Sequence, residues 1–301
     1  MAGLSNGGTI TQEAADAPSH RGEFRRVIKV FFQRKLAAAG FVLLLIFIVT
    51  AAFGPLFAPY DPYQQDLKNA LLDPSKSHLL GTDPLGRDTL SRIIYGARTA
   101  VLISAIAIGI AVTFGNILGL IAGYTGVAMN MIIMRFVDAL MAFPMILLAL
   151  VLAALLGGGL KNIIIALGVG MMSGYARMMC GQVLTIKEND YVLAARSIGA
   201  GSWRIMLQHL LPNCFPPLIV MVTMQIGSVI MAEAGLSFIG IGIAPPGAAW
   251  GAMVNVGYGY LLTHPVLSFA PGLCILLVVF GANVVGDGLR DALDPRLRGT
   301  L

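Results

Sequence analysis

Long apolar runs alternate along this chain with short polar interruptions. A membrane-crossing helix needs about 20 mostly apolar residues, and six stretches meet that rule: roughly 36–57, 98–122, 131–156, 162–184, 214–239 and 266–286. The pattern predicts an all-α polytopic membrane protein with six transmembrane helices in a domain spanning 36–301. Ahead of the first run, Arg21, Arg25, Arg26, Lys29, Arg34 and Lys35 interleave with Phe24, Val27, Ile28, Phe31 and Phe32. That spacing predicts a basic amphipathic helix over 20–35 lying on the cytoplasmic membrane surface. Residues 1–19, rich in Gly, Ala, Ser and Thr, read as a disordered tail. The lead-in and the first apolar run are too long for a cleaved signal peptide, so the first span is expected to stay in the mature protein.

Composition narrows the class. Hydrophobic residues make up 57% of the 301 and charged residues 12%, with a mean hydropathy of +0.81, which excludes a soluble globular domain. The net charge of +5 and pI near 9.2 do not point to nucleic acid, because the basic residues gather at segment ends and in the tails. They set orientation instead. The N-terminal basic cluster, the group Lys187, Arg196 and Arg204, and the C-terminal Arg290, Arg296 and Arg298 all belong in the cytoplasm by the positive-inside rule. An even span count agrees, placing both termini and the loop between spans 4 and 5 on one side. The loop Ala58–Ala97 then falls outside, where Lys68, Lys76, Arg87 and Arg92 are offset by Asp61, Asp66, Asp73, Asp83 and Asp88. Cys180, Cys214 and Cys274 sit in or beside apolar segments without ligand spacing, and read as packing residues.

One island interrupts the pattern. Tyr191 to Pro212, Y-V-L-A-A-R-S-I-G-A-G-S-W-R-I-M-L-Q-H-L-L-P, is a charged, helix-forming stretch between two long apolar segments. Tyr191, Ala194, Ala195 and Ile198 recur at helical spacing, Gly199 and Gly201 break the run, Ser202 is placed to cap a second short helix carrying Trp203, Met206, Leu207 and Leu210, and Pro212 is expected to end it. Two short helices bent around glycines, with small alanines permitting close approach, suit another protein's groove. An ordinary surface loop between spans is the competing reading.

Polar residues inside the spans are few. Glycines such as Gly109, Gly115, Gly119, Gly168, Gly170, Gly174 and Gly227 read as close helix packing. Pro144 predicts a kink in span 3, from packing or a moving gate. Arg135 and Asp138 read as an intrahelical ion pair, and Arg177 as a snorkelling end residue. Glu233 lies deep in span 5, where a carboxylate either serves the pathway or a gate, or hydrogen-bonds a neighbouring helix. The loop S-F-I-G-I-G-I-A-P-P-G-A-A-W-G after it, with Pro245, Pro246 and Trp250, cannot face lipid. In the outer loop, Asp83, Arg87 and Asp88 suggest a salt-linked turn entering span 2. The chain shows no Ser/His/Asp set and no G-x-x-x-x-G-K-[ST] phosphate loop, so any nucleotide powering transport binds another chain.

The island resembles the cytoplasmic loop signature of ABC importer permeases, E-A-A-x(3)-G-x(9)-I-x-L-P: Ala194, Ala195, Gly199, Leu211 and Pro212 match, while Leu193 and His209 depart from it. More specific are G-T-D-P-L-G-R-D-T-L-S-R-I-I-Y-G-A-R in the outer loop, L-G-L-I-A-G-Y closing span 2, S-F-I-G-I-G-I-A-P-P after span 5 and G-D-G-L-R-D-A-L-D-P-R-L at the end. Over residues 20–300 these are similar to the C-type permease subunit of the dipeptide/oligopeptide/nickel importers, with the type I ABC importer permease fold. Members usually carry P-x-P-E-W-G where this chain has P-G-A-A-W-G, so Ala249 lacks the acid. The resemblance implies a homologous partner permease, two cytoplasmic ATPases carrying ATP and Mg, and an extracytoplasmic solute-binding protein in a bacterial inner membrane. It also implies a coupling loop over 187–212, in which Tyr191, Ala194, Ala195, Arg196, Gly199, Ala200, Gly201, Trp203, Arg204 and Pro212 meet the ATPases. No cofactor is expected on this chain.

The chief rival is a proton-coupled secondary transporter of small solutes, which would place several ionisable residues at mid-membrane. Only Glu233 lies that deep. An intramembrane enzyme lacks a nucleophile with a base at helical spacing, and a passive channel has no use for a docking knob.

Overall fold

The computed structural model describes residues 20–243 and 245–293. The tail expected to be disordered over 1–19, together with Arg296 and Arg298, lies outside the described residues. Within them the chain is nearly all helix. Helix α1 (His20–Gln33) turns at Arg34, whose extended backbone ends one helix and caps the next, α2 (Lys35–Phe57). An irregular outer segment leads to α3 (Thr89–Tyr124), followed by α4 (Val127–Met141), α5 (Met145–Leu156) and α6 (Leu160–Ile186). Short helices α7 (Asp190–Ser197) and α8 (Ser202–Arg204) precede α9 (Phe215–Phe238), α10 (Trp250–Tyr258) and α11 (Val266–Leu293). The helices α2, α3, α6 and α11 and the helical run Ser202–Phe238 are long and apolar enough to cross a membrane, and α4 with α5 makes a sixth crossing if the bent pair is one span.

Each boundary has a local cause. Asp88 starts α3: its Oδ2 accepts from the Ser91 amide at 2.8 Å and from Ser91 Oγ at 2.7 Å, satisfying donors that a helix start leaves free. At 36 residues and about 1.5 Å per residue, α3 outruns an apolar core about 30 Å thick. Its first turns therefore stand clear of the hydrocarbon. Pro144 does more than kink the third apolar stretch. The axes of α4 and α5 meet at 87°, because the proline lacks a donor and sits extended (φ −53°, ψ 130°) as the cap of α5.

The core is built on the α3–α6 seam. Gly115, Gly119 and Gly123 lie one turn apart on α3 and face α6. A Cβ at Gly119 would sit 2.3 Å from the Ala176 carbonyl, so only glycine lets the helices approach this closely. Gly109, expected to share this role, faces open space. Tyr175, Met179 and Val183 of α6 are fully enclosed along the seam. A second cluster joins Phe47 of α2, Ile93 and Ala97 of α3, Ile230 of α9, Trp250 of α10 and Val278 of α11. Phe31 anchors α1 against Val285 and Ala292 of α11. Cys180 and Cys214 are buried and Cys274 half-buried, all as free thiols.

The ion pair expected within one helix forms between two instead. Asp138 of α4 pairs with Arg177 of α6, 39 residues away, while Arg135 projects outward. The break at Pro144 folds α4 back beside α6, which brings the two charges together.

Candidate functional site

The island forms a handle with a buried base and a bare tip. Val192 of α7 and Ile205, Met206 and Leu210 beyond α8 are buried in the main core, and Ala195 of α7 is buried as well. Tyr191, Leu193, Ile198, Trp203 and Leu207 are exposed, Ile198 by 86% and Trp203 by 68%. Of the stripe expected from Tyr191, Ala194, Ala195 and Ile198, only Ala195 is buried, and its neighbour on the inner face is Val192. Val192 and Ala195, at i and i+3, share that face, but a period starting at Tyr191 fits the sequence equally well. Gly199 turns the chain with φ +83°, a left-handed conformation that favours glycine, whereas Gly201 is ordinary extended backbone at φ −66°.

Two expected features of the handle differ. Gly201 rather than Ser202 caps the second helix: its carbonyl accepts from the Ile205 amide at 3.1 Å, so Ser202 is already the first helical residue. Pro212 does not end that helix. Ile205–Leu210 winds as a wide π-turn and Leu211–Cys214 as a tight 3₁₀ turn, carrying the chain continuously into α9. A proline is tolerated there because the regular i→i−4 ladder has already been replaced.

Polar contacts tie the handle to the bundle. Lys187 Nζ donates to the Gly123 carbonyl at 3.2 Å, near the α3 C-terminus, and the Arg196 guanidinium lies over the Tyr124 ring at 5.8 Å. Arg204 stays local, donating from Nε to Gln208 Oε1 at 3.1 Å. Ala194, Gly199, Gly201 and Pro212 are exposed, and Ala200 is half-buried. Thus the anchoring falls to Val192, Lys187 and Arg196, and the free surface to Ile198 and Trp203.

The opposite end holds the remaining candidates. Glu233 is 3% exposed, and its Oε1 accepts from Ser237 Oγ at 2.6 Å, one turn along its own helix rather than across to a neighbour. After α9, the proline loop folds back over the start of α3. Trp250 Nε1 donates to the Ile93 carbonyl at 2.9 Å, and its ring rests on Gly96, where a Cβ would come within 2.5 Å. Ala249 caps α10, is 1% exposed and offers no side-chain cap. Arg92 joins the loops: its Nη atoms donate to the carbonyls of Pro62 at 3.0 Å and of Pro246 and Gly247 at 3.3 Å. The salt-linked turn takes shape as Arg87 Nε on Asp83 Oδ2 at 2.7 Å, with Asp88 kept for the α3 cap and for His78 Nδ1 at 2.9 Å. Pro245 borders a small crevice here, and Glu233 and Trp250 do not line it.

A bundle of membrane-length helices with an exposed handle at one end and a folded-back loop at the other defines a polytopic membrane protein. Residues 115–299 match the family model described as the binding-protein-dependent transport system inner membrane component, and residues 23–74 match the N-terminal transmembrane domain of oligopeptide transport permease C. The dipeptide transport system permease protein of Bacillus subtilis is 43% identical over 267 residues, covering 88% of this chain and 83% of that one. The di/tripeptide permease of Pseudomonas aeruginosa is 42% identical over 274 residues, 89% of this chain and 90% of that one. A glutathione transport system permease of Escherichia coli is 42% identical over 265 residues, 88% and 87% of the two chains. Among solved structures, a chain of the MetNI methionine ABC transporter in inward-facing conformations aligns with a TM-score of 0.56 at 19% identity, over 67% of this chain and 96% of that one, and shares the fold. The chain belongs to the family of binding-protein-dependent transport inner membrane components. It is a permease of the ABC importer class, and ATP hydrolysis lies in separate subunits, so neither the proton-coupled rival nor the intramembrane enzyme stands.

Proposed function

We propose that this permease forms the pathway for di- or oligopeptides, or related small solutes, together with a homologous partner permease in a bacterial inner membrane. Both termini and the handle face the cytoplasm, where two ATPases binding ATP and Mg grip segment 187–212, and a solute-binding protein delivers cargo from outside. The names of its relatives, which handle dipeptides, di/tripeptides and glutathione, support the solute class.

The observation that carries the coupling role is the pairing of a bare apolar tip, Ile198 and Trp203, with a base locked into the core by Val192, Ile205 and Leu210. A lever needs both parts: an exposed face that another protein can hold, and a stiff root through which a pull reaches α6 and α9. Closure of the ATPases would move the handle and tilt the helices rooted beside it.

Reconstitution tests the proposal. Vesicles holding both permeases and both ATPases, supplied with the binding protein, are expected to accumulate a labelled dipeptide only with ATP. Uptake that persists without the ATPases would overturn the reading, as would labelling of a lone cysteine at position 198 by an impermeant reagent on intact cells.

A further inference from the structure

Among the described residues, the outer crevice holds a buried hydroxyl that has no hydrogen-bond partner. Asp83 is shared between two guanidinia, its Oδ2 lying 2.7 Å from Arg87 Nε and 3.7 Å from Arg92 Nε. Its Oδ1 is taken by the amides of Leu85 and Arg87, each at 2.9 Å. Arg92 directs its Nη atoms to backbone carbonyls. Arg87 is 6% exposed, and among the described residues its side chain bonds only through Nε. The hydroxyl of Thr89, 1% exposed, has no hydrogen-bond partner among the described residues. Both side chains line a cavity of about 60 Å³, together with Met253, Val256 and Leu267. Asp88 does not line it, being held by Ser91 and His78.

The lining therefore combines two buried cations and one acid, an unmatched hydroxyl, and several apolar side chains. Leaving a buried hydroxyl unmatched is costly, so a ligand that supplies an acceptor is favoured. The planar fork of an arginine matches the two oxygens of a carboxylate, and the apolar side chains disfavour a hydrated inorganic anion. Against the roughly 10–15 Å³ that one water requires, the cavity admits a carboxylate and the first carbons behind it.

We propose that this cavity binds a carboxylate borne on a small apolar group, such as the C-terminal residue of a short peptide, with Arg87 Nη and Thr89 Oγ1 as the donors. The proposal deepens the transport reading by placing a solute-recognising site at the outer mouth, but its test needs neither ATP nor uptake. The assembled importer in nanodiscs, without ATP or binding protein, is titrated with radiolabelled N-acetyl-leucine and with its uncharged twin, N-acetyl-leucinamide. The acid is expected to bind saturably and the amide at least tenfold more weakly. Thr89→Val should weaken the acid about tenfold, and Ala252→Leu, which fills the cavity without removing any polar group, should abolish its binding while the complex elutes unchanged. Equal binding of acid and amide, no saturable binding, or undiminished binding to Ala252→Leu would each overturn the site. If Thr89→Val fails to assemble, Ala252→Leu decides.

Discussion

The handle and the outer crevice both lie beyond the ends of long apolar helices, yet they use their side chains in opposite ways. At and beside the crevice Asp83, Arg87, Asp88, Thr89, Ser91 and Arg92 are all 7% exposed or less, and apart from the Thr89 hydroxyl they are bound to one another, to His78 or to backbone. At the handle Ile198 and Trp203 are 86% and 68% exposed. The crevice contributes to the stability of this chain. On the proposed coupling role the tip contributes only when a second protein covers it, so damage at the two places should be read in different assays.

The largest effect is expected at Asp83. Asp83→Asn removes the carboxylate that two buried guanidinia share, and a buried charge left unpaired costs about 3–5 kcal/mol. The purified protein should melt at a markedly lower temperature in detergent, with much less recovered after size-exclusion chromatography. An unchanged melt would mean that water screens the turn, and the contrast between the two ends would fail.

Next comes Trp203→Ala. An exposed aromatic that anchors an interface typically contributes about 2 kcal/mol or more to the complex, more than tenfold in affinity, while its truncation should leave folding within about 0.5 kcal/mol. The expected result is a normal melt with ATPase affinity and ATP-driven peptide uptake both reduced more than tenfold. Normal uptake would make the handle an ordinary loop; a lowered melt would make it part of the core like the crevice.

How far the molecule could be read beforehand follows the range of the forces involved. The long helices were legible because the lack of water in lipid forces each run of about 20 apolar residues into a helix. The handle's existence, its Gly199 turn and its apolar content were legible for the same local reasons. What escaped depends on contacts distant in sequence. Arg177 meets Asp138 across 39 residues, and Arg92 reaches Pro246 across 154; neither partner marks the other in a single sequence. Pro144 was recognisable as a bend, but its 87° magnitude depends on α4 finding α6. Val192 was overlooked because a period starting at Tyr191 fits the pattern equally well, and packing chose the other face. Glu233 stood out as a lone acid, whereas Thr89, whose unmatched hydroxyl matters at the crevice, has nothing in its sequence to distinguish it.

The smallest expected effect tests how the handle begins its second turn. Serine before a helical run is normally a cap, and replacing such a cap by alanine costs about 0.5–2 kcal/mol. Here the carbonyl of Gly201 already accepts the Ile205 amide, and Ser202 offers no side-chain cap to the helix. Because Ser202 occupies the first helical position and is exposed, alanine there loses nothing that the fold uses and gains slightly in helix propensity. Ser202→Ala should therefore leave the melt within about 0.5 kcal/mol and uptake at the wild-type level. A loss near the full capping value in the free permease would show that the hydroxyl caps the helix in solution and that the turn starts one residue later. A loss of uptake with a normal melt would instead place the serine on the surface proposed to meet the ATPase, widening the tip beyond Ile198 and Trp203 and sharpening its contrast with the buried crevice.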